Sequence, residues 1–169
     1  DKVAPVAEIF RLQNAAELQD AEDRYLPRGA ENTGAIVLAA SRGEELRELT
    51  EHQPKTMVKI QGTPILAHIV DAYNAVGIKD ITVVRGYKKE SVNLPNLKYL
   101  DNDDFADTGE LDSLQKAFGR LKSPSKDLII SYGDVLFNKY IPQALCQENE
   151  DFVIFVDSDW QNQSSYVRL

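Results

Sequence analysis

Apolar residues recur along this chain in two rhythms. Ala35–Ala40 is an unbroken apolar run, the pattern of a strand buried on both faces. Further on, Ile65, Leu66, Ile69, Val70, Tyr73 and Val76 recur at helical spacing and predict an amphipathic helix. Thr63-Pro64 reads as its N-cap and first residue, and Gly77 as its stop. Asp80–Arg85 predicts a second strand and Asn96–Leu100 a third. Asp107-Thr-Gly-Glu110 has capping-box form and opens a predicted helix with Leu111, Leu114, Phe118 and Leu121 on its apolar face. Asp127–Tyr132 predicts a fourth strand, Ile141–Cys146 a short helix, and Phe152–Val156 a fifth strand. Strands alternating with helices predict an α/β fold, a Rossmann-like, mostly parallel sheet with helices on both faces.

Residues 1–33 follow a different pattern. Asn14-Ala-Ala-Glu17 fits another capping box, and Leu18, Ala21 and Tyr25 continue at helical spacing to Pro27. Arg28–Gly34 has linker composition. The expected organisation is a tail helix and linker over 1–33, then one domain over 34–169.

Composition narrows the classes of function. The chain has 169 residues, 43% hydrophobic and 27% charged, normal for one globular domain. A net charge of -8 argues against nucleic acid gripped through its phosphates, but not against a small phosphorylated ligand. The single cysteine, Cys146, permits no internal disulfide, and the two histidines have no zinc-like spacing. No apolar run approaches a membrane span, and the first residues lack signal-peptide form, so a cytoplasmic protein is expected.

The chemistry should gather at one sheet edge. In parallel α/β sheets, ligands bind outside the carboxyl ends of the strands. Here those ends are Ser41-Arg42-Gly43, Arg85-Gly86-Tyr87 and Gly133-Asp134. Neither the dinucleotide-binding pattern Gly-x-Gly-x-x-Gly nor a P-loop is present. The Ser41–Gly43 turn can still aim amides and the Arg42 guanidinium at phosphate oxygens, with Gly43 allowing close approach. Lys55 adds a second cation, and Asp134 a hard oxygen ligand for Mg²⁺.

Leu38-Ala-Ala-Ser-Arg-Gly-Glu-Glu-Leu-Arg-Glu-Leu-Thr50, Pro54-Lys55 and Gly62-Thr-Pro-Ile-Leu66 resemble the nucleotidyltransferase signature. The resemblance continues through Gly86-Tyr87, Ser113-Leu114 and Gly133-Asp134. Ser41 stands where the signature has its first glycine, Glu45 where sugar-phosphate enzymes have an arginine, and Glu48 where a proline is usual. The Ala-Ser-Arg-Gly form, with Asp107–Leu114, is similar to the cytidylyltransferases that act on 2-aminoethylphosphonate.

That resemblance implies a GT-A-like nucleotidyltransferase fold, CTP and a small phosphonate or phosphate acceptor as partners, and Mg²⁺ held by Asp134. It implies catalytic roles for Arg42 and Lys55 on the triphosphate. The nucleotide pocket would comprise Leu38, Ala39, Ala40, Ser41, Gly43, Gly86, Tyr87, Gly109, Glu110 and Ser113. Asp157 and Asp159 are weaker candidates for substrate or metal. Pro5-Val-Ala-Glu-Ile-Phe-Arg-Leu-Gln13, Glu17-Leu18 and Glu22 to Tyr25-Leu26 resemble the C-terminal tail of phosphoenolpyruvate mutase, which implies a fused mutase domain in the parent chain. Complete domains of the family continue well past the strand equivalent to Phe152–Val156, so the domain is expected to be incomplete at its C-terminus. Two other readings stay open at this point. One is a nucleotidyltransferase for phosphocholine or a sugar-1-phosphate; the other is a noncatalytic nucleotide-binding module.

Overall fold

The computed structural model describes residues 14–17, 30–120 and 127–156. In chain order these include β1 (Thr33–Ala39), the short strands β2 (Lys59–Ile60) and β3 (Thr63–Pro64), and helix α1 (Ile65–Ala75). There follow β4 (Asp80–Arg85), β5 (Lys98–Asp101), helix α2 (Glu110–Arg120), β6 (Asp127–Tyr132) and helix α3 (Tyr140–Gln147). The main sheet has the order β5-β4-β1-β6, with every neighbouring pair parallel. β2 and β3 form a separate antiparallel hairpin.

Alternation along β1 creates two layers, because successive strand side chains point to opposite faces. Ala35, Val37 and Ala39 join Ile65, Leu66, Ile69 and Tyr73 of α1 in the larger core cluster. Ile36 and Leu38 join Leu114 and Ala117 of α2 in the smaller one. The helices therefore cover opposite faces, as expected, and β1 reads as continuously apolar because both its faces are buried. The chain lays β4 and β5 on one side of β1, then returns to place β6 on the other. That reversal opens a crevice at the carboxyl ends of β1 and β6.

Several local expectations are corrected. Thr63 does not cap α1, because its backbone pairs with Ile60 and the Ile65 amide donates to the Val58 carbonyl at 3.0 Å. Gly77 does end the helix, at φ +88, with the Ile78 amide reaching back to the Tyr73 carbonyl at 3.1 Å. The third strand starts later than predicted because Asn96 turns the chain at φ 61. At α2 the cap moves: the Gly109 N–H donates to Asp112 Oδ2 at 3.0 Å, so Asp112 closes the first turn. The buried side of α2 is Ser113 and Ala117 with part of Leu114, while Leu111 and Phe118 are 81% and 50% exposed. Apolar periodicity misses this face because Ser113 is buried through a hydrogen bond to Asn102. Leu121 lies outside the described residues.

Phe152–Val156 forms no strand; its residues are exposed and irregular. A strand needs a ladder partner for its amides and carbonyls. β6 pairs with β1 on one side, and among the described residues no strand pairs with its other side. Near the start, the Glu17 amide donates to Asn14 Oδ1 at 3.0 Å, the forward half of the expected capping box. The rest of that tail helix lies outside the described residues. The linker ends early, because Ala30–Asn32 makes a 3₁₀ turn and Thr33 and Gly34 already belong to β1. Among the described residues no helix is long and apolar enough to cross a membrane.

Candidate functional site

Close backbone approach brings the strand exits together. β1 and β6 pair with Leu38 opposite Tyr132, and the Gly133 amide then donates to the Leu38 carbonyl at 2.7 Å. A Cβ on residue 133 would lie 2.8 Å from Ala39 Cβ, so only glycine delivers Asp134 beside the β1 exit undisturbed. The β4 exit is held similarly. The Tyr87 amide donates to the Ala40 carbonyl at 2.9 Å. A Cβ on Gly86 would lie 2.6 Å from both that carbonyl oxygen and Phe105 Cβ.

The loop leaving β1 turns at Gly43, with φ +73, where a Cβ would sit 2.7 Å from Lys55 Cβ. Glycine here serves both the left-handed turn and the approach of the lysine. Buried Thr50 donates its hydroxyl to the Gly43 carbonyl at 2.9 Å, and the Lys55 amide donates to the Arg42 carbonyl at 3.2 Å. These bonds make the Ser41–Gly43 loop and the Pro54-Lys55 segment one unit.

Lys55 is the cation of that unit that meets the β6 exit. Its Nζ lies 2.5 Å from Glu45 Oε1 and 3.0 Å from Asp134 Oδ2. Burial pulls the Lys55 pKa down, but hydrogen bonds to Glu45 and Asp134 outweigh it and leave the pKa raised. The hydrogen bond from Lys55 holds the Glu45 carboxyl below the usual glutamate value. Both shifts favour the charged forms. Arg42 stands apart, 5.3 Å from the Tyr87 ring centroid and 3.8 Å from Glu44 Oε1. The Tyr87 hydroxyl is itself anchored, donating to the Glu51 carbonyl at 2.7 Å.

The exits surround a small cleft that opens to solvent. Of the residues expected at a nucleotide, Leu38, Ala39, Ala40, Ser41, Gly109, Glu110 and Ser113 line it, together with Asp134. Lys55 stands at its rim through the ion pair with Asp134, with Gly43 against the Lys55 stem, while Gly86 and Tyr87 hold the Ala40 carbonyl. Asp157 and Asp159 lie outside the described residues. Among the described residues no group of three or more His, Cys, Asp or Glu side chains is arranged to hold a metal. The Asp134 carboxylate in the cleft lining is still a donor of the kind Mg²⁺ takes, since that ion needs one or two carboxylates and completes its shell with phosphate oxygens and water.

Gly133 of the expected Gly133-Asp134 exit also lines the cleft, and sequence reasoning missed Thr56, Phe105, Thr108 and Tyr132, which line it too. It also missed Asn102, the fully buried residue behind the β5–α2 wall. Its amide donates to Thr108 Oγ1 at 2.9 Å and to Ser113 Oγ at 3.0 Å, and its Oδ1 accepts from Lys116 Nζ at 2.6 Å. Lys116 also reaches Asp104 Oδ2 at 2.7 Å. The only available cue was an asparagine directly after a predicted strand, in Asp101-Asn-Asp-Asp104.

Residues 35–165 match the MobA-like NTP transferase domain family. A UTP–glucose-1-phosphate uridylyltransferase from Haloferax volcanii is 32% identical over 78% of this chain and 57% of its own length. A 2-aminoethylphosphonate cytidylyltransferase from Lancefieldella rimae is 30% identical over 60% of this chain and 46% of its own. The solved structure of a CTP:phosphocholine cytidylyltransferase from Streptococcus pneumoniae superposes with a TM-score of 0.57 at 27% identity, covering 64% of this chain and 50% of that one. The chain thus spans about half the length of these relatives.

Proposed function

The chain belongs to the MobA-like NTP transferase domain family, and on that premise we propose that it transfers a cytidylyl group from CTP to 2-aminoethylphosphonate. The observation that carries this reading is the cleft at the β1 and β6 exits, where Lys55 and Asp134 meet beside the Ser41–Gly43 loop. The 2-aminoethylphosphonate enzyme among the relatives supports the acceptor, as does the Ala-Ser-Arg-Gly form at Ala40–Gly43. The mutase-like Pro5–Gln13 segment points to the same chemistry, since a mutase fused in the parent chain would form the carbon–phosphorus bond.

A phosphonate oxygen attacks the α-phosphorus of CTP; the new P–O bond forms as the bond to the β-phosphate bridging oxygen breaks, and pyrophosphate leaves. Lys55 and Arg42 hold the triphosphate oxygens in line for that displacement, their charges offsetting the charge that develops on the leaving group. Asp134 would hold Mg²⁺, which when bound would neutralise charge on the nucleotide oxygens. No general base is required, because a phosphate-like monoester with a second pKa of about 6 is already largely dianionic at neutral pH. Ser113 and Glu110 line the same cleft, and a hydrogen bond from Asn102 fixes Ser113 there.

A second reading, uridylyl transfer to a sugar-1-phosphate, is favoured by the Haloferax volcanii relative. Glu45, in place of the arginine that sugar-phosphate enzymes use, weighs against it. The test is ³¹P NMR of the protein with Mg²⁺ and either CTP or UTP, with 2-aminoethylphosphonate, phosphocholine or glucose-1-phosphate supplied separately. Formation of CMP-2-aminoethylphosphonate and pyrophosphate is expected. Product only with UTP and glucose-1-phosphate replaces the first reading with the second.

A further inference from the structure

We propose that Glu45 is a positioning residue for Lys55, a carboxylate that holds the ammonium against Asp134 until a triphosphate takes its place. The inference rests on the triphosphate reading of the cleft. Lys55 Nζ bridges two carboxylates from separate parts of the chain, 2.5 Å from Glu45 and 3.0 Å from Asp134. Its stem is fixed: the Lys55 amide is tied to the Arg42 carbonyl, and the bare Gly43 backbone packs against its β- and δ-carbons. Only the ammonium end is left to choose between acceptors.

Those acceptors compete for one charge. Charge-assisted hydrogen bonds to carboxylate and to phosphate are of similar type and strength. A triphosphate entering the cleft must therefore draw Lys55 away from Glu45, from Asp134, or from both. A divalent cation at Asp134 weakens one of these two holds, leaving Glu45 as the other. Triphosphate and cation binding are then coupled through Lys55, and Glu45 sets how strongly. Packing does not explain Glu45, since its side chain is 61% exposed. Arg42 and Glu44, the other charged pair of this loop, lie 3.8 Å from each other, with Arg42 over the Tyr87 ring.

The coupling has a reading that needs neither metal nor turnover. Calorimetric titration with inorganic tripolyphosphate in the presence of a chelator measures how available Lys55 is. Glu45→Gln is expected to bind about three- to tenfold more tightly than the unsubstituted protein, because a larger fraction carries a free ammonium. Glu48→Gln makes the same charge change nearby, past the kink at Arg47, and should gain less than about twofold, the long-range share alone. Glu45→Asp keeps the carboxylate and should stay closer to the unsubstituted protein than Glu45→Gln does. Adding Glu45→Gln to Lys55→Ala should gain no more than Glu48→Gln, the sign that the effect runs through Lys55. With saturating Mg²⁺ the advantage of Glu45→Gln should persist or widen, because Glu45 is then the hold that remains on Lys55.

Unchanged or weaker tripolyphosphate binding by Glu45→Gln, or a gain matched by Glu48→Gln, overturns the positioning role and leaves the triphosphate site standing. If the unsubstituted protein binds neither tripolyphosphate nor CTP with Mg²⁺, the site reading fails and the positioning role with it.

Discussion

The two sides of the cleft are built on opposite principles. The rim at the β1 and β6 exits is charged: Lys55, Glu45 and Asp134 are tied by ion pairs at 2.5 and 3.0 Å, on side chains that still meet solvent. The wall made by β5 and α2 is held by a largely neutral network, in which buried Asn102 joins Thr108, Ser113 and Lys116. Exposed ion pairs contribute about 0–1 kcal/mol and rearrange readily. A buried, satisfied polar group is expensive to disrupt, at about 1–3 kcal/mol for each partner left unmet. The rim is suited to exchanging partners when a ligand arrives, and the wall to keeping its shape.

Substitutions should separate the two sides cleanly. The largest stability effect belongs to Asn102→Ala, which removes three hydrogen bonds from the buried network and should cost about 2–4 kcal/mol. Urea denaturation checks it through a lowered midpoint at unchanged slope; a loss under about 0.5 kcal/mol would erase the contrast. Gly86→Ala comes next. Its Cβ would meet the Ala40 carbonyl oxygen and Phe105 Cβ, both at 2.6 Å. Forcing that contact should cost about 1–3 kcal/mol and shift Ala40 at the cleft, read from the same denaturation curves.

At the rim, ligand binding should suffer more than stability. Gly43→Ala places a methyl 2.7 Å from Lys55 Cβ at a left-handed position. It should cost about 1 kcal/mol of stability but weaken nucleotide binding about tenfold, as calorimetry would show. Equal effects from Gly43→Ala and Asn102→Ala would mean the rim is as structural as the wall.

The smallest effect is the pH dependence of the rim pair. Glu45 is held low by its hydrogen bond from Lys55, so its contribution is present above the unfolded-state value and is lost as pH falls through the depressed folded one. Lys55 is raised, so its contribution is present below the unfolded-state value and is lost as pH rises through the raised folded one. Across neutral pH the unsubstituted protein should therefore exceed Glu45→Gln in melting temperature by a degree or so at most, the small size expected of a largely exposed pair. The gap should close on acidification. A gap that widens in acid would show that another group governs this loop.

The same contrast explains what the sequence disclosed. The rim was legible because its parts are contiguous signals: an apolar run ending in Ser41-Arg42-Gly43, then Pro54-Lys55, and a strand ending in Gly133-Asp134. β6 matches its predicted span, Asp127–Tyr132, and the stop at Gly77 is where glycine placed it. The wall was not legible, because Asn102 and Ser113 meet only after β5 and α2 have packed. Hydrophobic periodicity counts Ser113 as outward-facing and Leu111 as inward, and a buried hydrogen bond reverses both. Phe152–Val156 shows the converse limit. Its composition favours a strand, but strand formation depends on a neighbour that local sequence does not specify.

The central claim is that the cleft at the β1 and β6 exits is a triphosphate site centred on Lys55 and Asp134. Calorimetric titration of the chain with CTP, UTP, GTP and ATP in Mg²⁺, repeated on Asp134→Ala, tests it most directly. The account predicts that CTP binds most tightly and that Asp134→Ala weakens it at least tenfold, the order of effect seen when metal coordination is disturbed. Equal binding of CTP by the substituted and unsubstituted proteins would contradict it.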